Sequence, residues 1–196
     1  MRLILFISVF AVAGLNVLAQ KNNNQGGILI YTFGQVNGIL DSTASNPKPN
    51  EINPNSYCIK YRRSKEEIYD NIKLNLKTAL KDVSSFSTYE GNPPKIKMKV
   101  YSTAPVGTQI EIQLGRISEI AYPDGIHSQY QGFTSKQNEW EEIEFLFAQI
   151  PEGSKAEPTE IDQVTILFAP KSETNYVFYY DGLSGPILVH QVIENE

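Results

Sequence analysis

Strict alternation of apolar and polar residues, repeated in short runs, limits this chain more than any other feature. Residues 95–102 read KIKMKVYS, placing Ile96, Met98 and Val100 on one face and lysines on the other. Residues 108–116 read TQIEIQLGR, with Ile110, Ile112 and Leu114 on one side and Gln109, Glu111 and Gln113 on the other. Residues 140–147, WEEIEFLF, bring Ile143, Phe145 and Phe147 into register. A repeat of two is the repeat of a strand, whose successive side chains point to opposite faces. Similar runs occupy residues 28–33, 56–63, 69–76, 127–134 and 176–183, and residues 187–193 read as one more strand. Residues 162–170, DQVTILFAP, are almost continuously apolar, as expected of a strand covered on both faces. Pro-, Gly- and Asn-rich turns separate the runs, and no long stretch carries helical periodicity. Nine or ten short strands without βαβ alternation predict an all-β, antiparallel two-sheet sandwich of the jelly-roll kind. Residues 34–55 are long, polar and contain Pro47, Pro49 and Pro54, so they read as a surface loop.

The 196 residues suffice for one domain with a sizeable core. With 17 basic and 22 acidic side chains the net charge is −5, which argues against a nucleic-acid partner. The single cysteine, Cys58, rules out an intrachain disulfide and any cysteine-based zinc or iron–sulfur site. Lying among strand-type residues in SYCIKY, it is expected to be buried. Two histidines, His127 and His190, cannot build a multi-histidine metal centre.

The opening MRLILFISVFAVAGLNVLA has a basic residue, an apolar run and small residues before position 20. Residues 1–19 therefore read as a signal peptide cleaved before Gln20, residues 20–27 as a flexible leader, and residues 28–196 as one β-sandwich domain. The expected location is periplasmic or extracellular. No second long apolar run predicts a membrane span, and no cysteine follows the cleavage point to take a lipid.

Little supports catalysis. There is no GxSxG elbow. Glu139, Glu141, Glu142 and Glu144 invite a glycosidase reading, but alternation turns Glu142 and Glu144 toward solvent. Trp140, the only tryptophan, is expected as core filler. The strand HSQYQ is the most informative polar one. Alternation puts His127, Gln129 and Gln131 on one face and Ser128 and Tyr130 on the other. Donors and acceptors without net charge suit sugar hydroxyls, which both donate and accept; a solvated sheet face fits the same pattern. Gln113, Arg62, Arg116 and Tyr69 lie on or beside strands that could neighbour it. Asp181 in YYDGL could hold a calcium ion or cap a turn, with Asp41 as a second candidate ligand.

Three segments carry a family resemblance. NPKPNEINPNSYCIKYRRS (46–64) is similar to an NP…G-I-N-x-S…V-x-K-Y-x-R opening. YPDGIHSQYQGFTSKQNEWEEIEFLF (122–147) is similar to YPxGxHSxYxAxT…W…L-x-F-x-F. DQVTILFAPKSETNYVFYYDGLSGPIL (162–188) is similar to D…LLFxPxS…YYFDxLxGP. Together they resemble the galactose-binding-like β-sandwich domains of secreted Bacteroidetes-type proteins, which are related to jelly-roll carbohydrate-binding modules. Two positions depart from the pattern: Glu51 stands where glycine is usual, and Gly182 follows Asp181. The resemblance implies a non-catalytic protein that binds an oligo- or polysaccharide; the strand pattern supplies Arg62, Tyr69, Gln113, Arg116, His127, Gln129, Tyr130 and Gln131 as the candidate binding residues. The resemblance also implies one structural calcium ion near Asp181 and a glycan-degrading enzyme as partner. A structural or protein-interaction sandwich without a sugar site is the alternative. A polysaccharide lyase is another, and it would require Arg62, His127, Gln129 and Tyr130 to converge in one groove.

Overall fold

The computed structural model describes residues 31–77, 79–80, 96–118 and 122–185. Ten strands form: β1 (Tyr31–Val36), β2 (Ile39–Ser45), β3 (Tyr57–Arg62), β4 (Ile72–Leu76), β5 (Ile96–Ser102), β6 (Gln109–Gly115), β7 (Ile126–Phe133), β8 (Trp140–Gln149), β9 (Gln163–Phe168) and β10 (Val177–Ser184). Every pairing among them is antiparallel. The ladder runs β1-β4-β9-β6-β7-β8-β5-β10-β3-β2 and folds back on itself at β8. The first half of β8 pairs with β5 and its end pairs with β7. Sheet A is thus β1-β4-β9-β6-β7, sheet B is β5-β10-β3-β2, and β8 is the corner they share. Strands that switch sheets at a bend are a known way to close a sandwich.

The alternating apolar residues meet between the sheets. Ile72, Leu74, Ile110, Ile112, Ile166 and Phe168 of sheet A face Tyr61, Met98, Val100, Phe178 and Tyr180 of sheet B. Phe168 is the centre of an aromatic knot: its ring stacks on Phe178 at 4.5 Å and lies 5.7 Å from Tyr61 and 5.6 Å from Tyr180. Gly132 lets β8 turn the corner. A Cβ at this position would lie 2.5 Å from Ile143 Cγ2 and 3.1 Å from the Glu144 carbonyl, so any side chain would push β8 off β7.

A buried polar tie closes one end of the core. All three guanidinium nitrogens of Arg63 donate to backbone carbonyls, those of Ser64, Glu67, Ile68, Phe168 and Thr174. Beside it, the Tyr61 hydroxyl donates to Asp70 at 2.7 Å and accepts from Gly38 N at 2.9 Å. Burial pushes the Asp70 carboxyl upward, while the Tyr61 hydroxyl and the Arg63 charge pull it back. A buried charge needs this many partners, because leaving it unpaired costs several kcal/mol.

Residues 34–55 differ from the expected loop. β1 continues to Val36, and residues 39–45 form β2 at the edge of sheet B. Only Ala44 of β2 is fully buried, so the strand lacks the apolar face that alternation detects. Its backbone pairing with β3 holds it instead. The signal peptide, the leader, residues 28–30 and the strand expected at 187–193 lie outside the described residues, as does His190. Among the described residues no helix is long and apolar enough to cross a membrane.

Candidate functional site

The outer face of sheet A carries an unusual set of side chains. Reading across the strands, one row is Lys73, Thr165, Gln113, Gln129 and Gln149, each opposite the next. The adjacent row is Leu167, Glu111, Gln131 and Leu146. Gln109 and Phe133 form a pair beyond it. On the other side lie Thr32, Asn75 and Gln163. At about 4.8 Å between strands, the five-residue row is about 19 Å long.

Glu111 is the hub of this face. Gln113 Nε2 donates to Glu111 Oε1 at 2.8 Å and Gln129 Nε2 donates to the same oxygen at 2.9 Å. Gln131 Nε2 donates to Oε2 at 3.2 Å and Gln109 Nε2 at 3.4 Å. A second tier follows, in which Gln149 Nε2 donates to Gln129 Oε1 at 2.6 Å. Gln163 Nε2 donates to Asn75 Oδ1 at 2.9 Å. The carboxylate of Glu111 leaves only 8% of the residue exposed, because four amides close around it. Burial of a carboxylate is tolerated where several N–H groups satisfy its lone pairs. At the network's edge, Phe133 and Leu146 stand 55% and 53% exposed. At its far end is Lys73, whose ammonium burial pushes downward.

Of the residues expected from sequence, Gln113, Gln129 and Gln131 come together here. His127 departs from them. It is the extra residue of a β-bulge, since Gly115 pairs with Ile126 and Leu114 with Ser128. A bulge breaks the period-two count, and the His127 Nδ1 meets Ser128 Oγ at 3.1 Å. Tyr130 is not a surface residue. It points into the core, 1% exposed, edge-on to Phe147, because it alternates with Gln129. Arg62 lies on β3 in sheet B, opposite Val177 and Ile39, so it is on the other sheet from β7. Tyr69 is exposed in the β3–β4 connection, before β4 begins. Arg116 follows β6 and pairs with Glu160 at 2.7 Å, at the end of the sheet rather than on its face. A lyase set of Arg62, His127, Gln129 and Tyr130 therefore does not converge. Glu111, Phe133, Leu146, Thr165 and Gln163 were missed as site residues. Their signal was present: Glu111 alternates with Gln109 and Gln113, and Phe133 with Gln131. Only strand pairing tells that the two runs are neighbours.

The other candidates have structural surroundings. The Trp140 ring is fully buried on the outer side of sheet B, and its Nε1 donates to Asn46 Oδ1 at 2.9 Å. Asn46 also holds the 46–55 loop through the Asn53 and Asn55 carbonyls. Glu141 accepts from Ser135 N, Ser135 Oγ and Lys136 N, capping the β7–β8 turn. Glu142 and Glu144 pair with Lys97 in solvent. Asp181 accepts from Asn55 Nδ2 at 2.6 Å and from Gly182 N at 2.7 Å. Asp41 accepts from Thr43 N and Oγ1. Calcium takes six to eight oxygens. Asp181 spends its oxygens on the 46–55 loop and on Gly182 N, Asp41 on Thr43, and among the described residues no three His, Cys, Asp or Glu side chains come together as such a cage.

Fold and face together define an antiparallel β-sandwich with an amide-lined, carboxylate-centred sheet surface. No family model matches the sequence and no curated protein matches it. Several solved structures show a distant likeness to it. It is similar to a family 11 carbohydrate-binding module of a cellulosomal cellulase from Clostridium thermocellum, at 15% identity and TM-score 0.46, covering 92% of this chain and 99% of that one. It is also similar to a family 30 carbohydrate-binding module of a C. thermocellum cellulosomal cellulase, at 9% identity and TM-score 0.45, covering 91% and 94%. A third likeness is to SGBP-B of a Bacteroides uniformis xyloglucan utilization locus, at 9% identity and TM-score 0.45, covering 87% of this chain and 49% of that one.

Proposed function

We propose that this is an exported, non-catalytic protein that binds a carbohydrate chain along the outer face of sheet A. One observation carries the reading: four glutamine amides from β6 and β7 gather on Glu111, giving a dense field of oriented, neutral polar groups. Amides suit sugar hydroxyls because each offers both a donor and an acceptor. They also cost less to dehydrate than free charges. Phe133 and Leu146 add exposed apolar surface against which the C–H face of a sugar ring can pack. The row of about 19 Å is long enough for several rings.

Export rests on residues 1–19 and is tested by the N-terminus of protein from its host, expected at Gln20. A partner glycan-degrading enzyme is the natural context for such a binder. The binding experiment is a glycan array with residues 20–196, followed by calorimetry of the best ligand against Gln131→Ala and Phe133→Ala. Each exchange should weaken binding about fivefold, the value of one net hydrogen bond or ring contact near 1 kcal/mol. No binding by the unaltered protein at millimolar concentration would replace this reading with a structural sandwich.

A further inference from the structure

We propose that Glu111 makes this face selective for neutral glycans over acidic ones, resting on the carbohydrate reading above. A carboxylate only accepts hydrogen bonds. It therefore decides which end of each surrounding amide turns inward: the N–H groups of Gln109, Gln113, Gln129 and Gln131 all point to Glu111. The same polarity passes outward, since Gln149 donates to the Gln129 oxygen. The amide oxygens are left to face away from the hub. Each amide keeps a second N–H, but its oxygen, with two lone pairs, is turned outward, so the surface offered to a ligand has more acceptor than donor capacity, which rewards hydroxyl protons. A uronate or sulfate group has no proton to give at neutral pH. It would meet carbonyl oxygens backed by a nearly buried negative charge, where screening by water is weak.

Among the described strand residues, Lys73 is the cation of this face. It stands at the end of the row, on β4, with β9 between it and the Glu111 strand. No ion pair joins it to Glu111, and Thr165 lies between it and Gln113. The amide field is thus built around the carboxylate, with the lysine outside it.

The test compares matched hexasaccharides that differ only in oxidation at C6: gluco- against glucurono-, manno- against mannurono-, and galacto- against galacturono-oligomers. The wild type should bind its preferred neutral hexamer at least tenfold more tightly than the acidic counterpart. In Glu111→Gln, an exchange of the same shape, one of the two acceptor oxygens becomes an NH2 donor, so two of the four amides face a donor and are driven to flip. Neutral binding should weaken by less than tenfold, while the neutral-to-acidic ratio should fall to about threefold or less. A merely structural role for Glu111 would weaken both ligands equally and leave the ratio unchanged, which overturns the proposal. Tighter binding of an acidic hexamer, lost in Lys73→Ala, overturns it too. The wild-type ratio needs no variant, so a Glu111→Gln protein that melts early still leaves the selectivity decided. Binding of neither series overturns the carbohydrate reading itself, whereas equal binding of both overturns only the selectivity.

Discussion

The outer faces of the two sheets are built from the same kind of alternating strand, yet they carry opposite physics. On sheet B, Lys97 sits between Glu142 and Glu144 at 3.3 and 3.2 Å, all well exposed. Such pairs are hydrated, screened and worth little. On sheet A, one carboxylate is enclosed by amides and nearly withdrawn from water. Sheet B also spends its aromatic groups on itself: Trp140 lies 5.9 Å from Tyr101, and Tyr101 5.6 Å edge-on to Tyr179, with Lys60 over the Tyr179 ring. The tryptophan is sealed beneath the 46–55 loop. Sheet A leaves Phe133 and Leu146 open beside its polar field. The lesson is that a solvated charge ladder leaves each charge to water, while a carboxylate enclosed by amides fixes the orientation of every amide around it.

The largest expected effect tests the structural side of this contrast. Trp140→Ala should lower stability by about 3–5 kcal/mol, as large aromatic-to-alanine exchanges do. Glycan affinity should be unchanged in the folded fraction, read by urea melts and calorimetry on one sample. Trp140→Phe should retain most of the packing and lose about 1 kcal/mol for the Asn46 bond. A Trp140→Ala protein that folds normally but no longer binds would move the site to sheet B.

On sheet A, Gln129→Ala should do two things at once. It removes a donor to Glu111 and an acceptor for Gln149, so it should cost about 1 kcal/mol of stability as well as weakening glycan binding severalfold. Gln131→Ala, half-buried, should separate the two by weakening binding with a smaller shift in melting. Equal affinity in both variants and wild type would show the amide field to be scaffolding.

A smaller effect comes with alkali. Burial, then the charges of Asp181 and Asp41, push the Cys58 thiol up to about 11. Burial and Asp181 push the Tyr31 hydroxyl up to about 12. Both groups favour the protonated form in the folded state. Their contribution is therefore complete below the ordinary thiol value, and it falls as pH rises through the folded ones. Stability should decline between about pH 9 and 12, more shallowly in Cys58→Ala, and a thiol reagent at pH 8 should label Cys58 only after unfolding. Rapid labelling of the native protein would show that thiol to be open. The least effect should come from Lys97→Ala: within about 0.5 kcal/mol in stability and none in glycan affinity. A loss of binding there would contradict the division between the two faces.

Much of the architecture was readable along the chain. The apolar members of β5, β6 and β8 fell where alternation put them, since burying one face of a sheet fixes a period of two. β2 escaped because an edge strand held by backbone pairing needs no apolar face. The site was half readable. Gln113, Gln129 and Gln131 were named because polar alternation marks an outer face. His127 was misplaced because a bulge is invisible to counting, and Arg62 because sequence does not say which sheet a strand joins.

What the residues alone determined is local: which positions form strands, which face of each is apolar, and that the exposed polar groups are mostly uncharged on β6 and β7. These follow from side-chain chemistry at fixed spacing. Only the tertiary structure decided which outer faces lie together. The pairing of β6 with β7 and β9 places Glu111 within reach of amides up to 20 residues away, and the turn of β8 over Gly132 brings Gln149 and Leu146 to the same surface. Hydrogen bonds between distant strands depend on register and strand order, and no segment of the chain holds that information by itself.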